Sequence, residues 1–399
     1  MGIGEDGIEG LTPVALNLVK SAAVVFGGAR HLALAASAIR GLSRTWRVPF
    51  DDSVTELLNY RGQPVCVLAS GDPFLHGVGS VLARLVSHEE IVAVPAPSAF
   101  SLAAARLLWP LPQTTQLSLC GRSADLIRPH LHPGQRMLLL TSDQDSPAQL
   151  AKLLCELGFG ASQITVLEAL GGPRERVRSA RADAFSLGPL NALNTVAVEI
   201  VAEGAARVLP RAAGLPDELF EHDGQITKRE VRALILSALA PRRGELLWDI
   251  GAGAGSVAIE WLLADGSLNA IAIERRPDRT ARLTRNAAAF GVPHLQVIEG
   301  AAPVALQGLK TPDAIFIGGG ITMPGTLESA QKALRPGGRL VVNSVTLETE
   351  AVLLRQYSQF GGTLSRLEFS HASPLGGEQG RFKGWRPAMP VLQWTWVKP

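Results

Sequence analysis

Three glycines at alternate positions form the segment of this 399-residue sequence that is best suited to hold a ligand. The segment reads Asp249-Ile250-Gly251-Ala252-Gly253-Ala254-Gly255. It follows an apolar pair at 246–247 and leads into the mostly apolar segment 257–263, a pattern that predicts strand, glycine turn and helix. Backbone N–H groups of such a turn can approach a ligand closely at the N-terminus of the helix.

A carboxylate follows at the distance expected of a nucleotide-binding site. The apolar segment 268–273 predicts a second strand, and Glu274 comes directly after it. An acidic residue about twenty positions past the glycines commonly binds the two hydroxyls of a ribose. We therefore expect this half of the chain to bind an adenosine-type cofactor.

The spacing favours S-adenosylmethionine (SAM) over a dinucleotide. Dinucleotide-binding loops place a further glycine two residues beyond a G-x-G pair, where this sequence has Ala254 or Ser256, depending on the alignment. SAM also carries an ammonium group, which suits a carboxylate such as that of Asp249 near the loop. The pattern alone leaves a dinucleotide, or no ligand, as alternatives.

Composition narrows the class of protein. The formal net charge of +2 is too small to indicate a nucleic-acid partner. Cys66, Cys120 and Cys155 are far apart, which predicts reduced, mostly buried thiols in a cytoplasmic protein. No apolar run reaches the ~18 residues of a membrane span and no signal peptide is visible, so we expect no membrane partner. We also expect no metal site and a homo-oligomer.

The elements that must position these residues alternate between strands and helices, which predicts an α/β fold with largely parallel sheets. A looser segment at 203–224 separates two halves, and we place the domains at 1–205 and 206–399. The strands predicted in the first half are 65–69, 91–94, 136–140, 164–168 and 196–201.

The second half is predicted to begin with a helix, because Thr227-x-x-Glu230 fits a capping box. Strands near 314–317 and 339–343 are expected to continue a single parallel sheet. From Ser365 on, we expect a terminal pair of strands around an irregular loop.

Several segments of the second half belong to one pattern. They are Thr227-Lys228-Arg229-Glu230-Val231-Arg232-Ala233, the glycine loop, Ile273-Glu274-Arg275-Arg276, Glu299-Gly300-Ala301-Ala302-Pro303, Phe316-Ile317-Gly318-Gly319-Gly320 and 334–343. Together they resemble the precorrin carbon-15 methyltransferases (decarboxylating) of cobalamin biosynthesis.

The first half has a pattern of its own. Its segments are Gly2-Ile3-Gly4-Glu5-Asp6-Gly7, Leu11-Thr12-Pro13, Gly27-Gly28-Ala29-Arg30-His31-Leu32, Ser70-Gly71-Asp72-Pro73-Phe74 and Pro95-Ala96-Pro97-Ser98-Ala99-Phe100-Ser101. These resemble the tetrapyrrole methylases, and the segment around Arg30-His31 resembles the members that methylate carbon 5. The two halves in this order resemble the fused precorrin-6Y C5,15-methyltransferase (decarboxylating) family.

This resemblance implies a bilobal tetrapyrrole-methylase fold followed by a Rossmann-like class I SAM-methyltransferase domain. It implies methylation of precorrin-6B or precorrin-6Y at carbon 5 by the first half. The second half would methylate carbon 15 and remove the ring C acetate carboxylate, giving precorrin-8. One alternative is a SAM methyltransferase for another tetrapyrrole or small-molecule acceptor. Another is a dinucleotide-binding protein or a ligand sensor without catalytic activity.

The resemblance also implies two SAM sites per chain. In the first half the residues are Gly71, Asp72, Leu75, Ser98 and Ala99. In the second half they are Thr227, Asp249, Gly251, Ala252, Gly253, Ala254, Gly255, Glu274, Ala301 and Ala302.

The substrate would present acetate and propionate carboxylates, and arginines near the loops are the candidate partners. These candidates are Arg30, Arg122, Arg229, Arg275 and Arg381, with an ordinary solvated arginine as the alternative reading of each. His31 is a candidate proton carrier or a structural residue, and the sequence identifies no catalytic residue. Cys120-Gly121-Arg122 departs from the family, whose carbon-5 enzymes often have His-Gly-Arg here.

Overall fold

A computed structural model describes residues 1–375 and 382–399 of the protein. The described residues form two compact units. The first unit consists of Met1–Ala124 and His130–Arg207, and the second of Asp125–Pro129 and Val208–Pro399. Both units combine helices with sheets, which confirms the α/β class.

The first unit contains short strands and helices in alternation over much of its length. Its strands are β1 (Gly2–Ile3), β2 (Val24–Gly27), β3 (Leu42–Thr45), β4 (Val65–Val67), β5 (Ala69–Ser70), β6 (Thr114–Ser118), β7 (Arg136–Leu140), β8 (Gln163–Glu168), β9 (Arg176–Arg181) and β10 (Asn194–Glu199). Its helices are α1 (Pro13–Ser21), α2 (Ala29–Ala35), α3 (Phe50–Leu58), α4 (Gly79–Leu82), α5 (Ala99–Leu107) and α6 (Ser146–Glu156).

The strands of the first unit form two lobes. In the amino-terminal lobe β2 lies between β3 and β4 in a parallel sheet, and β1 pairs with β5, also in parallel. In the other lobe the strand order is β6-β7-β10-β8-β9. Here β6 and β7 are parallel, while β10 pairs antiparallel with both β7 and β8.

The expectation of largely parallel sheets is therefore wrong for the second lobe. The strands β8 and β9 are joined by residues 169–175 and pair antiparallel. A connection this short can form a hairpin but not the crossover that parallel neighbours require.

The strand predicted at 91–94 is also wrong. This segment runs beside β1, where the N–H of Gly2 donates to the carbonyl oxygen of Val94 at 2.8 Å. It forms no regular ladder, and the Val92 side chain is 76% exposed. The apolar residues that suggested a buried strand are thus partly at the surface.

The second unit has longer, more regular elements. Its strands are β11 (Leu246–Ile250), β12 (Asn269–Glu274), β13 (Gln296–Glu299), β14 (Ala314–Ile317), β15 (Arg339–Ser344), β16 (Thr363–Leu367), β17 (Ser370–Pro374), β18 (Lys383–Pro387) and β19 (Val391–Val397). Its helices are α7 (Arg229–Leu239), α8 (Ser256–Ala264), α9 (Pro277–Ala289), α10 (Thr326–Ala333) and α11 (Leu347–Phe360).

The main sheet of the second unit has the order β13-β12-β11-β14-β15-β19-β16. The strands from β13 to β15 are parallel, in the order of a Rossmann-like sheet. The strand β19 pairs antiparallel with both β15 and β16, so the single parallel sheet that we expected ends at β15. The predicted terminal pair corresponds to β16 and β19, and β17 with β18 forms a separate hairpin between them in sequence.

Part of the segment predicted to be a loose linker belongs to the core of the second unit. Leu209, Leu215 and Phe220 are buried there with Trp261. The Phe220 ring stacks on Phe290 with 4.3 Å between ring centroids. The chain from Val208 on is therefore part of the packed unit, although it has little regular structure.

The cysteine prediction is corrected in one respect. All three thiols are free, but only Cys66 is buried, whereas Cys120 and Cys155 are exposed.

None of the helices within 1–375 and 382–399 combines the length and the apolar character that a bilayer crossing requires. The same residues contain no group of three or more His, Cys, Asp or Glu side chains placed to hold a metal ion.

Candidate functional site

The glycine loop of the second unit connects β11 to α8 at the carboxyl end of the parallel strands. Gly251 has φ +73 and Gly255 has φ +78, a region that side chains disfavour. A Cβ on Gly251 would lie 2.8 Å from the backbone nitrogen of Gly319. Backbone conformation and close contact thus favour glycine in this loop. The backbone N–H and C=O groups of the loop lie at the carboxyl end of the parallel strands.

Asp249 is the last but one residue of β11 and is almost completely buried. Its Oδ2 accepts a hydrogen bond from the N–H of Ala258 at 3.1 Å, so the carboxylate braces the first turn of α8. Its Oδ1 is buried without a hydrogen-bond partner among the described residues. Burial raises the pKa of Asp249 to about 7, and the nearby Glu274 carboxylate acts in the same direction.

Glu274 ends β12 and is also buried. Its Oε2 accepts from the N–H of Gly253 at 2.9 Å, and its Oε1 accepts from the N–H of Arg276 at 3.0 Å. The carboxylate therefore joins the glycine loop to the residues that follow β12. Each oxygen can accept a further hydrogen bond, so ribose hydroxyls are compatible with this arrangement.

The capping box predicted at Thr227 is wrong. The helix α7 begins at Arg229, and its N-cap residue is Lys228, whose side chain makes no capping hydrogen bond. A buried guanidinium lies beside this segment: Arg232 donates to the carbonyl oxygens of Thr227 and Leu215 and pairs with Glu260. The Arg232 side chain thus fixes the backbone of Thr227 through its carbonyl oxygen, and Thr227 lines a cavity.

This cavity has a volume of about 650 Å³, within the usual range for small-molecule sites. It brings together most of the site residues predicted in the second half: Thr227, Asp249, Gly251, Ala252, Gly253 and Ala254. Glu274, Gly255, Ala301 and Ala302 do not line it in the described part of the chain. Ala301 and Ala302 form the turn after β13, next to Gly300, whose N–H donates to the Glu274 carbonyl oxygen.

Arg279 is a lining residue that sequence reasoning missed. Its guanidinium donates to Asp223 at 2.9 Å and to the side-chain oxygen of Gln225 at 2.6 Å. It therefore holds the segment before Thr227 against α9. The signal in the sequence was an arginine in the first turn of α9, but its partners are more than 50 positions away.

The first unit has a cavity of about 400 Å³ between its two lobes. All five site residues predicted in this half line it: Gly71, Asp72, Leu75, Ser98 and Ala99. The opposite lobe contributes Ser118, Leu140 and Asn194 among others. The departure noted at Cys120 also lies on this lining.

The two predicted turns meet closely in this cavity. Gly71 has φ +54, and a Cβ there would lie 2.8 Å from the carbonyl oxygen of Pro97. Asp72 accepts from the N–H of Phe74 at 2.8 Å, and Ser98 caps α5 by accepting from the N–H of Ser101 at 3.1 Å. A ligand at this place would meet backbone polar groups from both turns.

A polar cluster stands at the edge of the same cavity. Arg30 pairs with the carboxylate of Glu5 and donates to the Ser70 hydroxyl at 2.8 Å. His31 Nε2 lies 2.8 Å from Ser70 Oγ and 2.9 Å from the Arg30 guanidinium. Burial and the nearby Arg30 charge lower the pKa of His31 to about 4, so the imidazole is neutral at ordinary pH.

The arginines proposed to bind substrate carboxylates differ in their position relative to the two cavities. Arg30 lines the cavity of the first unit, although Glu5 already occupies part of its guanidinium. Arg122, Arg229 and Arg275 are exposed and line neither of the two cavities. Arg381 lies outside the described residues.

Comparison with known proteins accounts for both halves. Residues 1–185 match the family model "Tetrapyrrole (Corrin/Porphyrin) Methylases", and residues 218–398 match "Precorrin methyltransferase domain". A protein of a Sinorhizobium species, named precorrin-6Y C(5,15)-methyltransferase [decarboxylating], is 57% identical over 398 residues, which cover 100% of this chain and 95% of that protein. The chain belongs to this family.

A further relative of the precorrin-6Y C(5,15)-methyltransferase family matches the whole chain, and a solved structure matches about half of it. The protein of that name from Mycobacterium tuberculosis (strain CDC 1551 / Oshkosh) is 42% identical, with 100% of this chain and 99% of that protein covered. A crystal structure of the C-terminal domain of precorrin-6Y C5,15-methyltransferase from Rhodobacter capsulatus is 45% identical. It covers 48% of this chain and 100% of its own, with a TM-score of 0.45.

Proposed function

We propose that the chain is a bifunctional SAM-dependent C-methyltransferase and decarboxylase of cobalamin biosynthesis. It methylates precorrin-6B or precorrin-6Y at carbons 5 and 15 and removes the carboxylate of the ring C acetate, giving precorrin-8. The observation that carries this proposal is the identity of 57% over the whole chain to a protein of that name. Identity over the full length, rather than over one half, supports both activities.

The division of labour follows the two family matches. We assign carbon-5 methylation to residues 1–205 and carbon-15 methylation with decarboxylation to residues 206–399. Each half would bind its own SAM, and the two lined cavities support this assignment. Carbon nucleophiles in a reduced tetrapyrrole are enamine-like, so neither half needs a metal or a strong base for the transfer itself.

SAM supplies a methyl group on a positively charged sulfur together with a methionyl ammonium group. In the second unit the unpartnered, buried Oδ1 of Asp249 fits a cationic group in the cavity. Glu274 would accept the ribose hydroxyls while it holds the glycine loop through Gly253. The chain thereby contributes mainly positioning, which can lower a barrier by up to roughly 7–11 kcal/mol.

In the first unit the SAM site would be the backbone around Gly71 and Asp72 together with Ser98 and Ala99. These turns lie on one side of the cavity, and the five-stranded sheet supplies the other side. The macrocycle would then enter between the lobes, next to Arg30 and His31.

The decisive experiment combines the full chain with SAM and a precorrin-6B substrate. Product mass should rise by two methyl groups and fall by one carbon dioxide. A chain with Glu274→Ala should still add the carbon-5 methyl group, while a chain with Gly71→Ala should still perform the carbon-15 steps. Absence of methylation by the unaltered chain, or hydride transfer with a dinucleotide instead, would refute the proposal.

A further inference from the structure

The edge of the first unit's cavity carries a hydrogen-bonded pair that methyl transfer itself does not use. Ser70 Oγ lies 2.8 Å from His31 Nε2, and both residues line the cavity. Ser70 directly precedes Gly71 and Asp72, the turn that we assign to SAM. The pair is therefore within the same cavity as the carbon that would be methylated.

The hydrogen bonds define which nitrogen of His31 is available as an acceptor. The Arg30 guanidinium has only donors, and it lies 2.9 Å from Nε2, so Nε2 is the unprotonated nitrogen of the neutral ring. The Ser70 hydroxyl accepts from Arg30 at 2.8 Å and can direct its own proton at Nε2, so the hydroxyl and the guanidinium share the single lone pair of this nitrogen. The Ser70 hydroxyl is thus hydrogen-bonded to a basic nitrogen, the arrangement by which proteins activate a hydroxyl group.

The glycine pair before His31 lies close to its side chain. A Cβ on Gly28 would lie 3.4 Å from His31 Nδ1, and a Cβ on Gly27 would lie 3.5 Å from His31 Cβ. The Nδ1 atom is buried without a hydrogen-bond partner among the described residues. Within the described residues, the hydrogen bonds of the ring are thus at Nε2, on the Ser70 side.

Methylation of a bridge carbon creates a need for such a pair. The π electrons of the macrocycle form the new C–CH₃ bond, the S–CH₃ bond breaks with its electrons remaining on sulfur, and the macrocycle becomes a cation. Conjugation returns when the C–H bond at the same carbon breaks and its electrons re-form the double bond. A proton must then leave the cation, and a group in the cavity must accept it.

We propose that Ser70 and His31 form the proton relay for carbon-5 methylation. The Ser70 hydroxyl takes the proton from the methylated carbon as its own proton passes to His31 Nε2. The carboxylate of Glu5, which pairs with Arg30, compensates the second positive charge that results. The imidazolium then releases its proton to water. This inference rests on the proposed function, because it deepens the assignment of carbon 5 to the first unit.

The strength of the base suits the task. A neutral imidazole with a pKa near 4 is a weak base, but it is unprotonated throughout the neutral range. A C–H bond next to a cationic conjugated system is a strong acid, so a weak and always available acceptor suffices. Removing a positioned general base typically costs at least roughly 10²-fold in rate.

The test uses the full chain with His31→Gln, Ser70→Ala and both changes together. The substrate is a precorrin-6B labelled with deuterium at carbon 5, and the methylation at this carbon is followed by product mass. His31→Gln should slow carbon-5 product formation by roughly 10²-fold. It should also raise the deuterium isotope effect above that of the unaltered chain, because C–H cleavage becomes rate-limiting.

Two controls separate the relay from a structural effect. The affinity of the first unit for S-adenosylhomocysteine should be unchanged in each variant, and the exposed His88→Gln should behave as the unaltered chain does. The double variant should be no slower than the slower single variant, because the two residues act in one chain of proton transfers.

Each remaining outcome refutes the relay. Carbon-5 methylation at the normal rate in His31→Gln, or a slower rate with an unchanged isotope effect, would show that the proton leaves by another route. A loss of S-adenosylhomocysteine affinity equal to the loss of rate would place His31 in cofactor binding instead. If the unaltered chain fails to methylate carbon 5, the proposed function itself is refuted, and the relay with it.

Discussion

The Oε2 atom of Glu274 accepts a hydrogen bond from the backbone N–H of Gly253 at 2.9 Å. The side chain that the sequence offers as a ribose ligand is therefore also a structural tie across the glycine loop. Because its other oxygen accepts from the N–H of Arg276, the loop and the segment after β12 share one carboxylate. Changes at Glu274 should therefore affect both the ligand and the loop.

Glu274→Ala is expected to weaken S-adenosylhomocysteine binding to the second unit by about 10- to 100-fold. Hydrogen bonds to a charged group contribute roughly 1.5–3 kcal/mol each, and ~1.4 kcal/mol corresponds to a factor of ten. Isothermal titration of the full chain measures this loss, with the first unit as an internal reference. The matched control is Glu299→Ala, which removes the carboxylate at the neighbouring position of β13. Equal affinities in Glu274→Ala and the unaltered chain would contradict the assignment.

The buried Asp249 predicts a particular dependence of stability on pH. Its pKa in the folded protein is about 7 against an ordinary value of 3.8, so between these values the folded state holds a proton that the unfolded chain releases. The contribution of Asp249 to the free energy of unfolding should therefore be most favourable to the folded state below pH 3.8. It should fall as pH rises towards 7, by at most ~1.4 kcal/mol per pH unit.

Asp249→Asn should remove this slope, because the amide does not ionise. Urea unfolding between pH 5 and 8 measures the difference between variant and unaltered chain at each pH. We expect the variant to gain relative stability as pH rises through this window. A difference that is constant with pH would mean that Asp249 titrates normally.

Gly251 should tolerate no side chain. Gly251 has φ +73, which strains any residue with a side chain. In Gly251→Ala the new Cβ would also lie 2.8 Å from the backbone nitrogen of Gly319, which cannot move as a flexible side chain could. Such strain costs about 1–3 kcal/mol, which urea unfolding should detect in the second unit. Gly266→Ala is the matched control, since a Cβ there meets nothing within 4 Å. Equal losses from the two changes would count against a special role of the loop glycine.

The place at which the chain is cut should decide whether the second unit is stable. A fragment beginning at Val208 retains Leu209, Leu215 and Phe220, which are buried in its core. A fragment beginning at Gln225 lacks them, and burial of one such side chain contributes about 1.5–3 kcal/mol. Thermal unfolding of the two fragments should therefore show a markedly lower midpoint for the shorter one. Similar midpoints would mean that 208–224 is a linker after all.

Local patterns in the sequence were sufficient for several elements because their physical causes are local. A strand, an alternate-glycine turn and an apolar helix predict the β11–α8 connection without knowledge of the rest. The α/β class and the strands β7, β8 and β10 follow in the same way from apolar runs and the turns between them. The three glycines of the loop have positive φ, a conformation that glycine adopts more readily than other residues do.

Only the tertiary structure decided what depends on residues far apart in the chain. One example is the strand β10, which inserts antiparallel between β7 and β8. Others are the hydrogen bond from Arg232 to the Leu215 carbonyl oxygen and the contact of His31 with Ser70. The sequence determined a class of fold, the loop and the candidate cofactor residues, because backbone conformation and apolar periodicity are encoded locally. Packing decided which carboxylate, guanidinium or imidazole meets which partner, since most buried polar groups bond to a group that the fold brings close to them.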